Sequence, residues 1–169
     1  LEQTNEIVRK VNSLAGKPIL NECKPLLSNA SRLPSTDGKS KMSKSMGSAI
    51  NLGATEKEIR TAVKSMYTDP NHLRIEDPGQ VEGNIVFTYL DAFHTDAHYV
   101  NELKDHYRRG GLGDGQTKKV LEECLQEMIR PIRARRAELL DDKAQLIDIL
   151  RQGTQLSRER TETVLFDVK

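Results

Sequence analysis

Apolar positions recur with helical spacing through most of the chain after residue 53. The first such segment opens with Thr55 and Glu58, a capping box that satisfies two helix-start donors, and Asp69-Pro70 is expected to end it. Further apolar faces are carried by Val86–Phe93, Tyr99–Tyr107, Val120–Ile132, Leu146–Leu150 and Leu156–Val168. This pattern predicts a mainly α protein in which four to six helices after residue 53 pack as an irregular bundle.

Glycine and proline mark the expected ends of these helices. Gly16 is expected to end a helix over residues 2–12, and the glycine-rich segment 110–115 is interpreted as a C-cap and turn. Gly153 is a candidate C-cap that would separate the last two apolar faces. Pro131 lies inside an apolar stripe and is expected to kink that helix or divide it.

The first part of the chain has a different character. Residues 18–35 contain three prolines and short apolar pairs, which favour short strands and turns over helices. Residues 35–48 are rich in Ser, Gly and Lys, which predicts a mobile loop. We therefore expect a short α/β remnant over 1–53 and a helical domain over 54–169.

Composition excludes several classes of protein. Lys and Arg total 26 against 25 Asp and Glu, so no overall charge excess favours nucleic acid or anionic lipid. The sequence contains no run of 18 apolar residues, so a membrane span is not predicted. The two cysteines, Cys23 and Cys124, lie far apart in the sequence and indicate neither a disulfide framework nor a zinc finger. A cytoplasmic protein is the expectation.

The segment with the clearest chemistry is Lys41-Met42-Ser43-Lys44-Ser45. Two ammonium groups three residues apart, with serine hydroxyls between and beside them, suit the oxygens of a polyphosphate. Such charges stabilise a transition state electrostatically rather than by proton transfer. A solvated linker between two domains is the alternative interpretation of a Lys/Ser segment.

This segment resembles the KMSKS signature of class I aminoacyl-tRNA synthetases. The wider block LPSTDG…KMSKSMGSAI, the amphipathic helix after it and DPG…YLDAF at 77–93 resemble the tryptophanyl members of that family. The stretch Arg130-Pro131-Ile132-Arg133 is similar to part of their helical carboxyl-terminal domain. The resemblance implies the end of a Rossmann-type catalytic domain with its KMSKS loop (35–48), followed by an anticodon-binding region.

The resemblance also implies roles for individual residues. Lys41 and Lys44 would hold the β- and γ-phosphates of ATP, with Ser43 and Ser45 donating to the same oxygens. Leu33 and Met42 would lie near the adenine through backbone groups. ATP would bring Mg²⁺ with it, and no metal site of the protein itself is expected.

The family's second signature, an HxGH-type motif, is missing, since none of the four histidines has the required neighbours. We therefore expect a carboxyl-terminal piece of a tryptophan–tRNA ligase that is inactive alone. The full-length enzyme would use tryptophan, ATP and tRNA(Trp), would be a homodimer, and would need no membrane. Another class I synthetase, such as the tyrosyl enzyme, and an isolated helical RNA-binding module remain alternatives.

The densest basic cluster is a candidate surface for the tRNA backbone. Its acidic neighbours leave a solvated helix face as the alternative. The cluster consists of Arg130, Arg133, Arg135 and Arg136, preceded by Lys118 and Lys119. His94 and His98 have i, i+4 spacing, but no third ligand is placed by any motif, so a metal site is not predicted.

Overall fold

The computed structural model describes residues 1–28, 30, 33–38, 42 and 48–168. Within them the protein is mainly helical, as predicted, and five helices follow residue 53. The helices are α1 (Glu2–Ala15), α2 (Glu56–Lys64), α3 (Ile85–Phe93), α4 (Ala97–Arg109), α5 (Asp114–Asp141) and α6 (Lys143–Val168). They belong to two compact units, one made of Leu1–Ser28 and Glu138–Lys169, the other of Asn29–Ala137.

Two asparagines of α1 bind the backbone of the segment that follows the helix. Asn12 accepts hydrogen bonds from the N–H groups of Ile19 and Leu20 at 2.9 Å each and donates to the Leu20 carbonyl at 2.8 Å. Asn5 makes the same two-way contact with Cys23, at 2.7 and 3.0 Å. These amides satisfy backbone groups that a strand partner would otherwise satisfy. The strands expected in 18–35 are accordingly absent from the described residues 18–28.

Helix α1 ends as predicted, at Gly16, which adopts a left-handed conformation with φ 64°. The capping box at the start of α2 is also confirmed, because Thr55 and Glu58 each bind the other's backbone N–H. Helix α2 stops at Lys64, earlier than the expected stop at Asp69-Pro70. The chain turns at Ser65, and Met66 is buried outside the helix.

The core of the second unit forms where α3, α4 and α5 bury one face each. Helix α3 buries Val86, Tyr89 and Leu90, as predicted. On α4 the expected face included Tyr99, Leu103 and either His106 or Tyr107. Tyr107 is buried and Leu103 packs against the core, but Tyr99 is 38% exposed, so the prediction was wrong for Tyr99. The buried stripe of α5 consists of Thr117, Leu121, Leu125 and Ile129.

A buried polar cluster surrounds the start of α5. The Asp114 carboxylate accepts hydrogen bonds from the Tyr107 hydroxyl at 2.7 Å and from the Thr68 hydroxyl at 2.8 Å. His72 Nδ1 lies 3.4 Å from the same carboxylate, and the His72 ring is tilted by 59° against the Tyr107 ring, with the ring centroids 4.6 Å apart. One carboxylate thus joins α4, α5 and the 65–84 segment.

The two last helices are longer than the sequence suggested. Helix α5 continues through Pro131 and is not divided there. Pro131 and Glu127 are both exposed, so water can satisfy the carbonyl that the proline leaves without a donor. Gly153 lies inside α6 rather than at a C-cap, so that prediction was wrong. Neighbouring turns of α6 continue the helix, and Thr154 donates to the Leu150 carbonyl at 2.7 Å.

Candidate functional site

A backbone hydrogen bond joins the described residues on either side of the lysine-containing loop. The Thr36 N–H donates to the Ser48 carbonyl at 3.4 Å, and the Gly38 N–H donates to the Ser35 carbonyl at 2.9 Å within a turn. Ser35 is fully buried, and its hydroxyl donates to Asp37. The loop between these ends carries the predicted phosphate-binding residues. Lys41, Ser43, Lys44 and Ser45 lie outside the described residues.

The entering end of the loop, residues 33–38, is attached to the helical core. The Tyr89 hydroxyl on α3 donates to the Pro34 carbonyl at 2.8 Å, and the Tyr67 N–H donates to the Thr36 carbonyl at 3.2 Å. Gly38 has φ 71°, and a Cβ there would lie 3.2 Å from the Ile85 side chain. A side chain at Gly38 would therefore be both strained and crowded.

Apolar side chains within and beside the loop pack against the same core. Leu33 before the turn, Met42 between the two lysines and Ile50 after the loop are partly buried and pack against the core cluster. The predicted contact of Leu33 and Met42 with adenine through backbone groups stays a prediction. The side chains of both residues serve to hold the loop on the helical core.

The segment that leaves the loop, residues 48–56, is held by the basic cluster on α5. Arg133 donates to the Ala54 carbonyl at 2.7 Å and lies 3.5 Å from the Glu56 carboxylate. The Arg136 side chain covers Gly53, where a Cβ would lie 3.2 Å from the Arg136 Cδ. These two arginines therefore contact the end of the loop segment, which no local pattern of the sequence indicated.

Arg130 belongs to a different surface, an open groove of about 860 Å³ between α2 and α5. The groove carries both signs of charge, and its walls are joined by an Arg60–Glu122 ion pair at 2.8 Å. Lys118 donates to the Lys64 carbonyl at 2.9 Å, and burial lowers the pKa of its ammonium. Arg135 and Arg130 are exposed. The four arginines thus face at least two surroundings and do not form one uniform patch.

Burial also raises the pKa of other side chains that the structure describes. Burial raises the pKa of the Tyr89 phenol to about 12, so this hydroxyl remains a donor at neutral pH. Cys124 is half-buried, and burial raises the pKa of its thiol, which disfavours a reactive thiolate. Among the described residues no group of three or more His, Cys, Asp or Glu is placed to hold a metal ion. In the same residues no helix is long and apolar enough to cross a bilayer.

The described ends of the segment that contains Lys41–Ser45 are attached to the helical core at Pro34 and at Ala54. The family model of class I tRNA synthetases (W and Y) matches residues 1–130, and the chain belongs to this family.

Curated relatives make the likeness more specific. The chain is 49% identical to a tryptophan–tRNA ligase of Clostridium longisporum over 171 residues and 45% identical to that of Streptococcus pyogenes over 174 residues. Each match covers all of this chain and about half of the relative, 50% and 51%.

A solved structure shares the fold. It is the tryptophanyl-tRNA synthetase from Campylobacter jejuni complexed with ADP and tryptophan, which is 28% identical with a TM-score of 0.74. The match covers 96% of this chain and 50% of that one.

Proposed function

We propose that this chain is the carboxyl-terminal part of a tryptophan–tRNA ligase. The observation that carries the proposal is the KMSKS segment at 41–45, which lies between two loop ends joined at Thr36 and Ser48 and attached to the helical core. The identity of the relatives supports tryptophan as the amino acid. The boundary at 53/54 would separate the end of the catalytic domain from the region that binds tRNA.

The reaction has two steps. A carboxylate oxygen of tryptophan attacks the α-phosphorus of ATP, the bond from that phosphorus to the bridging oxygen breaks, and pyrophosphate leaves with its Mg²⁺. The tRNA 3′ end then takes the acyl group from the adenylate, releasing AMP. Neither the attack nor the departure of pyrophosphate requires a proton from Lys41 or Lys44.

In the first step these two lysines would bind the β- and γ-phosphates. Negative charge grows on the departing pyrophosphate, so the ammonium groups would stabilise the transition state more than the ground state. Ser43 and Ser45 would donate to the same oxygens. The backbone of Leu33 and Met42 would lie beside the adenine, and the attachment of both side chains to the core supports a defined place for that backbone.

The basic cluster Arg130, Arg133, Arg135 and Arg136 supplies the candidate contacts for tRNA phosphates, and Arg130, Arg135 and Arg136 are exposed. Arg133 and Arg136 also touch the segment 53–56. Their substitution would therefore disturb the loop as well as tRNA. An isolated RNA-binding module, the alternative function, would bind tRNA without any response to ATP.

The test is ATP–pyrophosphate exchange by the full-length protein with tryptophan, tyrosine and other amino acids offered singly. Only tryptophan should support exchange. Lys44→Ala should lower kcat by about 10²–10³, the typical loss for one donor to a developing negative charge. Lys57→Ala, an exposed lysine on α2, is the matched control and should leave kcat unchanged.

A result that raises KM with kcat preserved would contradict the proposed role of Lys44, because it would indicate uniform binding of ground and transition states. Exchange with tyrosine in place of tryptophan would identify the tyrosyl enzyme. The 169-residue chain alone should show no exchange, because catalysis requires both ends of ATP to be positioned. Exchange by this chain alone would show that the catalytic site was misplaced.

A further inference from the structure

Tyr89 is a core residue whose hydroxyl forms a hydrogen bond with the segment that enters the loop. Its ring is 1% exposed and packs 5.9 Å from the ring of Phe93. The hydroxyl donates to the carbonyl of Pro34, 55 residues away along the chain, at 2.8 Å. A phenylalanine would fill the same space, so packing alone does not require the hydroxyl at this position.

The position of this hydroxyl is fixed by α3. The helix is capped by Asn84, whose side chain accepts from the Val86 N–H at 3.0 Å, and its buried face is anchored on both sides of Tyr89 by Val86 and Leu90. A donor mounted on a packed helix has little freedom to follow a moving acceptor. The hydrogen bond therefore sets where the Pro34 carbonyl lies relative to the core.

Pro34 is the point at which such a contact has most influence on the loop. Proline has no N–H, so its carbonyl is the only backbone group at this residue that can be held by a hydrogen bond. The turn Ser35–Gly38 and the junction of Thr36 with Ser48 follow at once. A shift of Pro34 is thus transmitted to both ends of the loop that contains the lysines.

We propose that Tyr89 is a positioning residue for amino-acid activation, holding the lysine loop in register with the helical core through the Pro34 carbonyl. This inference rests on the proposed function of Lys41 and Lys44. Tyr89 itself contacts neither ATP nor tryptophan in this account. Tyr89 would affect the reaction rate only through the position of the loop. A misplacement of about 1 Å can lower the rate by a factor on the order of 10².

The experiment uses the full-length protein with Tyr89→Phe, which removes one oxygen and keeps the ring. We expect kcat for ATP–pyrophosphate exchange to fall by about tenfold. The KM for tryptophan should stay within about twofold, because the hydroxyl is not assigned to the amino-acid pocket. Tyr99→Phe is the matched control, because Tyr99 is a partly exposed tyrosine on α4. It should leave both constants unchanged.

A double-mutant cycle with Lys44→Ala separates positioning from a general structural effect. If Tyr89 acts through the loop, Tyr89→Phe should change kcat by less than about twofold once Lys44 is absent, because coupled residues are not additive. An equal loss in both backgrounds would overturn the inference and assign Tyr89 a structural role only.

The cycle also separates failure of this inference from failure of the proposed function. A large loss for Lys44→Ala together with no effect of Tyr89→Phe would overturn the positioning role while leaving the lysines in place. No effect of Lys44→Ala would overturn both, because the loop would then have no phosphate-binding role to position.

Discussion

Among the described glycines whose φ is not positive, Gly79 is the one at which replacement by alanine should damage the core most. A Cβ at Gly79 would lie 2.2 Å from Tyr107 Cε1 and 2.6 Å from two further ring atoms. Ordinary contact begins at 3.4 Å, so the ring or the backbone would have to move by about 1.2 Å. The Gly79 N–H also donates to the Tyr107 carbonyl at 2.9 Å.

Tyr107 has no room for that movement. Its side chain is fully buried, its hydroxyl donates to Asp114, and its ring lies edge-on to Phe87 at 5.1 Å. Overpacking of a closed core typically costs 1–3 kcal/mol, and here a hydrogen bond would be strained as well, so we expect about 3 kcal/mol.

Urea denaturation of the chain followed by circular dichroism measures this loss. With an m-value of about 2 kcal/mol/M, the midpoint should fall by roughly 1.5 M. Gly115→Ala is the control, because nothing lies within 4 Å of a Cβ at this α5 position. It should stabilise by about 0.5–1 kcal/mol, since alanine is the better helix former. A Gly79→Ala midpoint within experimental error of the unsubstituted chain would refute the reasoning.

Two further substitutions test the attachment of the loop segment and the acid sensitivity of the fold. Arg133→Gln should lower the free energy of unfolding by about 1.5–3 kcal/mol, because it removes the charge-assisted hydrogen bond to the Ala54 carbonyl. In the same urea titration Arg130→Gln, at an exposed position, should change it by less than about 0.5 kcal/mol. Equal effects of the two substitutions would contradict the role of Arg133 in holding this segment. The N–H groups of Asn71 and Gln80 donate to Asp69 and hold its pKa below its usual value, so its contribution to stability is present above pH about 4 and is lost as the pH falls through the lower folded pKa. In Asp69→Asn the free energy of unfolding should depend less steeply on pH below about pH 4. An unchanged slope there would exclude this role of the Asp69 carboxylate.

Local patterns predicted the parts of the fold that are determined locally. Thr55 and Glu58 satisfy donors within three residues of each other, so their capping box is visible in the sequence. Gly16 likewise acts within its own helix end. Gly153 was expected to end a helix, but α6 continues through it with a helical sequence on both sides.

Contacts between distant residues were beyond the reach of these patterns. Tyr89 was recognised as part of a buried helix face, yet nothing in the spacing of apolar residues relates its hydroxyl to Pro34. Arg133 was assigned to a basic cluster from composition, but its partner is a carbonyl 79 residues earlier. In both cases the tertiary arrangement, rather than the neighbouring sequence, determines the partner of the polar group.

The residue types of Lys41–Ser45 indicated a compact set of donors for a polyphosphate, but they left a solvated linker as an alternative. The assignment of this segment to ATP comes from its resemblance to the KMSKS signature. The described ends of its loop add what the motif itself lacks, namely the attachment to the helical core through Pro34, Met42 and Ala54.

The most direct test of the proposed function is tRNA charging by the full-length protein. Purified enzyme would be given ATP, unfractionated tRNA and radiolabelled tryptophan or tyrosine, and acid-precipitable label would be counted. We predict that label from tryptophan, but not from tyrosine, accumulates on tRNA and that Lys44→Ala slows its appearance by about 10²–10³. Charging with tyrosine, or charging with tryptophan at an unchanged rate in Lys44→Ala, would contradict the account.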